Sequence, residues 1–436
     1  MDFTDAPIDT TAVANLAEQK LSLELLDIAN DRDKAVGFEA VVNRGFYGER
    51  SDEKDIEFLL DATAYRRTTA VWDATEPAVE PVATVASWTT PLSVPGGGTV
   101  PAWAISAVTV APTHRRRGIA RNLLEAELRT AAACAVPVAA LTASEATIYG
   151  RFGFAPSAQV AKITIDTKRT AWAGSTPTGR VRFMELSDLF EQGPAIFERE
   201  RVQHPGEIEL DEALWCEILD YRPGKADKAK DLRAIGYTDA AGDLQGFAAY
   251  RVKESSDDTL TAKVAHLAAA TDDAYAALWR FLLELDLVRA VEADLRSLDE
   301  PVLWQLSDVR AAKVEPFDHL WLRILDPIAA LEARTYSRQG SIVLDVVDPL
   351  EFAQGRFLLE IDGEGTAAVC RLTGDVPEDA AHATLSERDL ALIYVGGASA
   401  TALHSAGRIV EGTPGAATLV DAAFHSPVAP RLGVGF

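Results

Sequence analysis

The apolar positions in the first part of the chain follow two periodicities, which predict strands and helices in turn. β-Branched and aromatic runs bounded by turn residues indicate strands, and apolar residues three or four positions apart indicate helices. The glycine-rich segment 94–98 predicts a tight turn that makes the strands on either side neighbours. The predicted elements are strand 21–28, helices 33–43 and 52–64, strands 68–72, 82–88 and 102–110, a helix from 118, strand 136–141, a short helix around 149, and strand 159–165.

Two more domains are predicted after this first one. Residues 1–20 have little periodicity and are expected to form a poorly ordered leader, and a small-residue loop follows a first domain at 21–168. Strands and helices alternate again in 180–325, and an Asp-Pro pair opens 326–436. We therefore predict an α/β (α+β) fold of three domains. The later elements are expected at 183–197, 214–220, 244–252, 260–267 and 274–287, then at strands 341–347, 356–361 and 367–372 and helices 387–394, 398–406 and 416–424.

The segment VTVAPTHRRRGIAR, 108–121, joins a strand to a helix through a basic turn. Pro112 ends the strand, because proline cannot donate to a β-ladder. The first turn of the helix has free N–H groups and a partial positive charge, Gly118 lets a ligand approach the main chain, and three arginines add charge. This combination predicts a pyrophosphate site. The alternative is a solvated basic turn or a run of the nuclear-localisation type.

Arg115-x-x-Gly118-x-Ala120 resembles the acyl-CoA pyrophosphate loop, R/Q-x-x-G-x-G/A, of the GNAT acetyltransferases. With LTASE at 141–145 and IYGRFGF at 148–154, the text resembles more closely the Eis-type (enhanced intracellular survival) N-acetyltransferases. The resemblance covers nearly the whole chain and includes LWR at 278, LWLR at 320 and a final phenylalanine. It implies tandem GNAT domains, the second degenerate, a C-terminal sterol-carrier-like domain, and acetyl-CoA-dependent N-acetyl transfer.

The resemblance also implies which residues hold acetyl-CoA. The backbone of Val108 and Val110 would bind the pantetheine arm and the thioester, with the Val110 N–H polarising the carbonyl. Ser144 would lie beside the CoA arm, although a serine without this motif would more often cap a helix. The residues expected to hold the pyrophosphate are Arg115, Arg116, Gly118, Ile119 and Ala120.

Two residues are expected to move protons. Tyr149 resembles the GNAT general acid, and a phenol with a pKa of about 10 is protonated at neutral pH and can protonate a departing thiolate. No acidic or histidine side chain of the first domain stands out as a base, and the family uses the terminal carboxylate. The resemblance therefore implies the α-carboxylate of Phe436, a weak base unless burial raises its pKa or a water relays the proton. The apolar tail 427–436 is accordingly expected to dock in the active site of the first domain.

The substrate is expected to be a polycationic amine, with aminoglycosides as the family's substrate class. Phe46 and Tyr47 are candidates to line its cleft, the alternative being a loop anchored to the core. Asp308 resembles a family position that makes the pocket acidic. Acetylation of lysines on peptides or proteins stays open as an alternative, as does a non-catalytic lipid carrier or regulatory protein with a relic CoA site. The resemblance further implies a homo-oligomer, namely a hexamer.

The second domain shows no equivalent anion site. Thr271, Asp272 and Asp273 stand where its pyrophosphate loop would belong. The threonine suits an N-cap and the acids suit the helix dipole, but two carboxylates would repel a diphosphate. We therefore expect this domain not to bind CoA.

The composition narrows the remaining classes. A net charge of −24, from 66 acidic and 42 basic residues, argues against a nucleic-acid partner and suits either a cationic substrate or simple solubility. Three cysteines without C-x-x-C and seven histidines without ligand spacing predict no metal site. The sequence has neither a signal-peptide pattern nor an apolar run of membrane-spanning length, so we expect a cytoplasmic protein with no membrane partner.

Overall fold

The computed structural model describes residues 3–28, 30–48, 53–75, 80–221, 229, 231–254 and 259–436. The predicted helix start at Asp52 and residues 1 and 2 of the predicted leader lie outside these ranges. The helices are α1 (Thr10–Ala17), α2 (Arg32–Gly45), α3 (Glu53–Ala62), α4 (Ile119–Ala133), α5 (Ala146–Tyr149), α6 (Leu186–Arg201), α7 (Glu212–Leu219), α8 (Asp272–Leu283), α9 (Pro327–Glu332), α10 (Glu387–Tyr394), α11 (Ala400–Ser405) and α12 (Ala416–Phe424). The strands are β1 (Leu21–Leu26), β2 (Arg67–Asp73), β3 (Ala83–Ser93), β4 (Thr99–Val110), β5 (Val138–Thr142), β6 (Ala155–Asp166), β7 (Arg180–Met184), β8 (Leu232–Thr238), β9 (Leu244–Glu254), β10 (Leu260–Ala269), β11 (Val288–Arg296), β12 (Ala312–Ile324), β13 (Gly340–Val347), β14 (Gly355–Ile361), β15 (Ala367–Arg371), β16 (Ala381–Ser386) and β17 (Val410–Glu411).

The first two units share one sheet. Twelve described strands lie in the order β1-β2-β3-β4-β5-β12-β6-β11-β10-β9-β8-β7. Strand β12, the last of the second unit, lies between β5 and β6 and is antiparallel to both. Strand β6, the last of the first unit, pairs in turn with β11 of the second. Each unit therefore lends its final strand to the other, an exchange that the sequence analysis did not predict.

A gap opens in the sheet between β4 and β5. These parallel strands pair only where 102–104 meet 138–140. Just beyond, the pairing of β3 with β4 shifts register, Ala107 takes a left-handed φ of 53°, and the Thr84 hydroxyl donates to the Ala107 carbonyl at 2.7 Å. This β-bulge bends β4 away from β5, because an extra residue on one strand locally turns it. Residues 111–118, which include the basic turn, lead from the end of β4 into α4.

The prediction of a poorly ordered leader is wrong for residues 10–17, which form helix α1. The Asp9 carboxylate caps this helix by accepting from the Ala12 N–H, and it also binds Arg129 of α4 at 2.9 Å. Ala12 and Leu16 are 0% exposed. A helix of two turns that buries only these two residues shows too few apolar repeats for a periodicity to be recognised.

The C-terminal domain has its own five-stranded sheet, in the order β15-β14-β13-β16-β17. It also packs on the shared sheet, where the Ser157 hydroxyl of β6 donates to the Ala391 carbonyl of α10 at 2.7 Å. Arg323 of β12 and Asp348 form a fully buried ion pair at 2.5 Å across the same boundary. No helix among the described residues is both long and apolar enough to cross a membrane.

The degenerate turn of the second unit has the predicted cap. The Thr271 hydroxyl accepts from the Ala274 N–H at 3.2 Å and caps α8, as predicted. Asp273 accepts hydrogen bonds from Thr178 and from the Tyr237 hydroxyl. Its carboxylate therefore ties the α8 turn to neighbouring strands. That this turn binds no CoA stays a prediction.

Candidate active site

A cavity of about 620 Å³ lies at the gap between β4 and β5. Its lining comes from the first unit, namely helices α2, α3 and α5 and strands β2, β3, β4 and β5 with the loops beside them, from helix α7 of the second unit, and from the last two residues of the tail. Five of the residues singled out in the sequence line this cavity together, namely Phe46, Val108, Ser144, Tyr149 and Phe436.

Eight other candidates are not among the residues that line it: Tyr47, Asp308, Val110 and the five residues of the predicted pyrophosphate turn, Arg115, Arg116, Gly118, Ile119 and Ala120. Tyr47 has a left-handed φ of 57° and is 92% exposed, so the pairing of two cleft aromatics is wrong for the second one. The prediction for Asp308 is also wrong, because Asp308 lies outside the lining of the cavity. There its carboxylate forms an ion pair with Arg169 at 2.9 Å and accepts a hydrogen bond from the Arg310 N–H. Val110 lies on β4 beyond the lining.

The backbone of Val110 nevertheless faces the gap. The Ala111 N–H donates to the Val82 carbonyl at 2.8 Å, on the β3 side. Because successive amides of a strand point to opposite edges, the Val110 N–H points to the edge that β5 has left. Val108, two residues earlier, lies next to the bulge and within the lining. The assignment of Val110 as the carbonyl polariser stays a prediction.

The three arginines of the basic turn differ in their contacts. Arg117 is held by the protein: its guanidinium lies 3.6 Å from the Asp73 carboxylate and donates to the Gln19 carbonyl at 2.8 Å. Arg115 and Arg116 are exposed, and neither has an ion-pair or hydrogen-bond partner among the described residues. Two positive charges are thus available for a ligand and one stabilises the turn.

Helix α4 presents its uncapped N-terminus to the same turn. Gly118 is the N-cap residue in a left-handed conformation, φ 72°, and no side chain caps the helix. Ile119 is buried and Ala120 is half-buried behind it. The free first-turn amides, the helix dipole and the two unpaired arginines suit a diphosphate, so the residues present fit the binding of a CoA pyrophosphate.

Tyr149 ends helix α5 and is 9% exposed. Its ring packs edge-on against Phe154, with the ring centroids 6.3 Å apart. Burial, with a smaller contribution from the Glu145 charge, raises the pKa of its hydroxyl above the usual value of a phenol. The hydroxyl therefore stays protonated at neutral pH, as a proton donor must. Ser144, the helix-capping alternative, is not the N-cap of α5, since Glu145 is.

The tail ends in the cavity. The Thr142 hydroxyl donates to a terminal oxygen of Phe436 at 2.5 Å and lies 3.3 Å from the Phe436 N–H. The Phe436 ring packs edge-on against Trp88, with centroids 5.5 Å apart. Two residues earlier, the His319 Nε2 donates to the Val434 carbonyl at 2.6 Å. The tail is thus fixed by contacts with β3, β5 and β12.

Acidic groups of the cavity were missed by the sequence analysis. Glu39 of α2 and Glu217 of α7 both line it, Glu39 half-buried and Glu217 exposed, and the loss of water around each carboxyl in the cavity raises its pKa. The positive charge acting on both is Arg66, whose guanidinium lies 4.1 Å from the Trp88 ring centroid and 3.3 Å from the Asp211 carboxylate. Helix α7 belongs to the second unit, so no local pattern could have linked Glu217 to this site.

The described residues contain no group of three or more His, Cys, Asp or Glu placed to hold a metal ion. The fold itself implies acetyl-CoA binding.

Models of an acetyltransferase (GNAT) domain match residues 31–157 and 206–324, and a model of a sterol carrier protein domain matches 328–433. The predicted combination of two GNAT domains and a sterol-carrier-like domain is thereby confirmed. The crystal structure of Eis1 from Mycobacterium abscessus has a TM-score of 0.79 to this chain at 29% identity, covering 95% of this chain and 100% of that one. A GCN5-related N-acetyltransferase from Anabaena variabilis, at 18% identity and a TM-score of 0.78, shows the fold alone.

Proteins that are similar to this chain in sequence are also N-acetyltransferases. An N-acetyltransferase of Streptomyces avermitilis is 36% identical over 402 residues, covering 89% of this chain and 93% of that protein. N-acetyltransferase Eis of Mycobacterium tuberculosis is 36% identical over 355 residues, covering 79% of this chain and 83% of that protein. The domain order and these relatives show that the chain belongs to the Eis-type N-acetyltransferases of the GNAT superfamily.

Proposed function

We propose that the protein transfers the acetyl group of acetyl-CoA directly to primary amines of polycationic small molecules such as aminoglycosides. The observation that carries this proposal is a single cavity lined by a protonated phenol, by the end of the tail and by two carboxylates without an ion-pair or hydrogen-bond partner among the described residues. Carboxylates in a partly desolvated cavity favour cations, because an ammonium group offsets the cost of burying their charge.

In this proposal, each residue of the site has a separate role in binding or proton transfer. Arg115, Arg116 and the first turn of α4 bind the pyrophosphate, and the β4 backbone at the bulge orients the thioester. The α-carboxylate of Phe436 accepts the proton of the attacking amine, directly or through a water. The Tyr149 hydroxyl gives its proton to the departing thiolate. Glu39 and Glu217 hold further ammonium groups of the same substrate, which leaves one amine to react.

The first expected result concerns the pyrophosphate turn. Arg115→Ala and Arg116→Ala should each weaken acetyl-CoA binding by about 1.5–3 kcal/mol, the worth of a charge-assisted hydrogen bond, and so raise its Kd about tenfold to a hundredfold. Titration calorimetry measures this. Arg121→Ala is the matched control, because the Arg121 side chain, although in the first turn of α4, already pairs with Glu125 at 2.7 Å. An unchanged Kd in the double mutant would defeat the assignment.

The second concerns substrate charge. Glu217→Gln should raise the KM for polycationic amines roughly tenfold while leaving the acetyl-CoA KM in place, because one charged hydrogen-bond acceptor is lost. Glu212→Gln is the control, since Glu212 lies in the first turn of the same helix and is not part of the lining. Equal KM values of the two variants for polycationic amines would show that Glu217 does not bind the charged substrate.

Purified protein mixed with acetyl-CoA and a panel of amines tests the function as a whole. Release of CoA-SH with aminoglycosides and polyamines, and none without an amine, is the expected result. Release only with lysine-containing peptides would favour the protein-acetyltransferase alternative. No release with any amine, together with no thermal shift by acetyl-CoA, would favour a carrier with a relic site. The expected hexamer stays a prediction.

A further inference from the structure

The second unit repeats the gap of the first one. Its parallel strands β10 and β11 pair over 260–264 and then lose register on both edges, next to His266 and next to Arg296. Leu295 takes a left-handed φ of 55°, close to that of Ala107 in the first unit. A second cavity of about 330 Å³ lies there, lined by residues of both strands.

Residues of the chain's own tail line this second cavity. Arg431 and Gly433 are both part of its lining. Arg431 is 5% exposed, and its guanidinium binds the Glu200 carboxylate at 2.7 Å through Nη2 and the Glu207 carboxylate at 2.9 Å through Nε. The tail thus inserts a cation at the gap of the second unit, whereas the gap of the first unit lies beside a basic turn.

The main chain of the tail is held at the same place. The Arg431 N–H donates to the Pro205 carbonyl and the Gly433 N–H donates to the Glu207 carboxylate, both at 2.9 Å. Gly206 makes this approach possible, because its φ is 95° and a Cβ there would lie 2.7 Å from the Arg431 carbonyl oxygen. Backbone and side chain therefore fix Arg431 against one short segment of the second unit.

The charges of this pocket require the arginine. Glu200 and Glu207 are buried, and the neighbouring Glu300 is already bound to Arg296 at 2.7 Å. Two buried carboxylates without Arg431 would lack a cation, which is the costly state for buried charge. Burying such ions adds little net stability when they are paired, so the arrangement is better explained by the geometry that it imposes.

Phe436 lies five residues beyond this anchor. That span can reach at most about 17 Å when fully extended, so the position of Arg431 limits where the chain end can lie. Beyond Arg431, the tail is held by the hydrogen bond of His319 to Val434 and by that of Thr142 to Phe436. Displacing the anchor would therefore displace the terminal carboxylate.

We propose that the gap of the second GNAT unit is a receptor for the chain's own tail, in which Arg431, bound by Glu200 and Glu207, is a positioning residue that sets the place of Phe436 in the first active site. The proposal rests on the proposed role of the Phe436 carboxylate only for its effect on rate. The unit that lacks an anion-binding turn thereby acquires a part in the reaction.

The experiment compares full-length, N-terminally tagged Arg431→Met with Arg431→Lys and with wild type. Native protein is treated with carboxypeptidase A, which removes a C-terminal phenylalanine only when the chain end is accessible, and free phenylalanine is measured over time. Arg356→Met is the matched control, since it removes a partly exposed arginine that pairs with Asp345 in the C-terminal sheet. A triple variant, Arg431→Met with Glu200→Gln and Glu207→Gln, removes the anchor without leaving buried charge and covers the case in which Arg431→Met fails to fold.

Arg431→Met and the triple variant should release phenylalanine at least about tenfold faster than wild type, with a comparable fall in kcat for the amine and an unchanged acetyl-CoA KM. Arg431→Lys should recover part of both effects, and Arg356→Met should match wild type. Phenylalanine release at the wild-type rate from both anchorless variants would overturn the proposal. Faster release with unchanged kcat would uphold the receptor and contradict instead the role of the Phe436 carboxylate as base.

Discussion

Appending residues after Phe436, or deleting Phe436 alone, is expected to lower kcat/KM by roughly 10²–10⁴ with little change in melting temperature or acetyl-CoA binding. An appended segment converts the α-carboxylate into an amide, which cannot accept a proton. Deletion retracts the carboxylate by about 3.5 Å, which is more than a proton transfer tolerates. Steady-state kinetics of the two variants measures the effect.

The structure supplies the controls for this result. An N-terminal tag of equal length should leave the rate unchanged. Phe436→Leu keeps the carboxylate and loses only the ring contact with Trp88, so it should be far less harmful than the tag. If the C-terminally tagged enzyme turns over as fast as the N-terminally tagged one, the carboxylate is not the base. Glu39 and Glu217, the other carboxyls of the lining with raised pKa values, would then be the first groups to test.

Tyr149→Phe is expected to lower kcat by about 10² or more while acetyl-CoA affinity is nearly unchanged, because the ring stays and only the proton donor is lost. Burial raises the pKa of this hydroxyl, so the protonated form persists to higher pH than in an exposed tyrosine. Any decline of the wild-type rate from deprotonation of Tyr149 should therefore occur at higher pH than it would for an exposed tyrosine. A pH profile of kcat for both proteins checks this.

Tyr47→Phe is the matched control, since it removes the same hydroxyl from a side chain that is 92% exposed and is not part of the lining. It should turn over at the wild-type rate. A Tyr149→Phe enzyme that equals this control across the pH range would show that water protonates the thiolate.

Local features of the fold could be predicted from the sequence wherever one element carries its own pattern. Helices α10 and α12 have the predicted bounds, and the first domain has the predicted order of elements after α1. Strands β8, β11 and β12 of the second unit and strands β16 and β17 of the C-terminal domain were missed. The sequence of β16, AHATLS, has few large apolar residues, and β17 has only two residues. The exchange of β6 and β12 was missed because strand pairing across so long a loop leaves no local signal.

The residues of the candidate site likewise fall into those that a local sequence motif identifies and those that it does not. Its motif residues Arg115, Gly118 and Tyr149 could be found because one short segment carries each motif, and the structure places Arg115 and Gly118 in one turn. Glu217 and Arg431 could not be found, since each acts on residues far away in sequence through the contacts of the second unit. Asp308 shows the converse, because its position was carried over from the family, and here a salt bridge with Arg169 holds it elsewhere.

The proposed reaction is a direct transfer of the acetyl group within one cavity, and initial-rate kinetics with both substrates varied distinguishes it from a two-step reaction. Cys216 of α7 also lines the cavity, so a thiol is present that could carry the acetyl group in a two-step reaction. Direct transfer predicts intersecting double-reciprocal lines, an active Cys216→Ala variant, and no acetylated protein after incubation with acetyl-CoA alone. Parallel lines, together with an acetyl group on Cys216 detected by mass spectrometry, would contradict it.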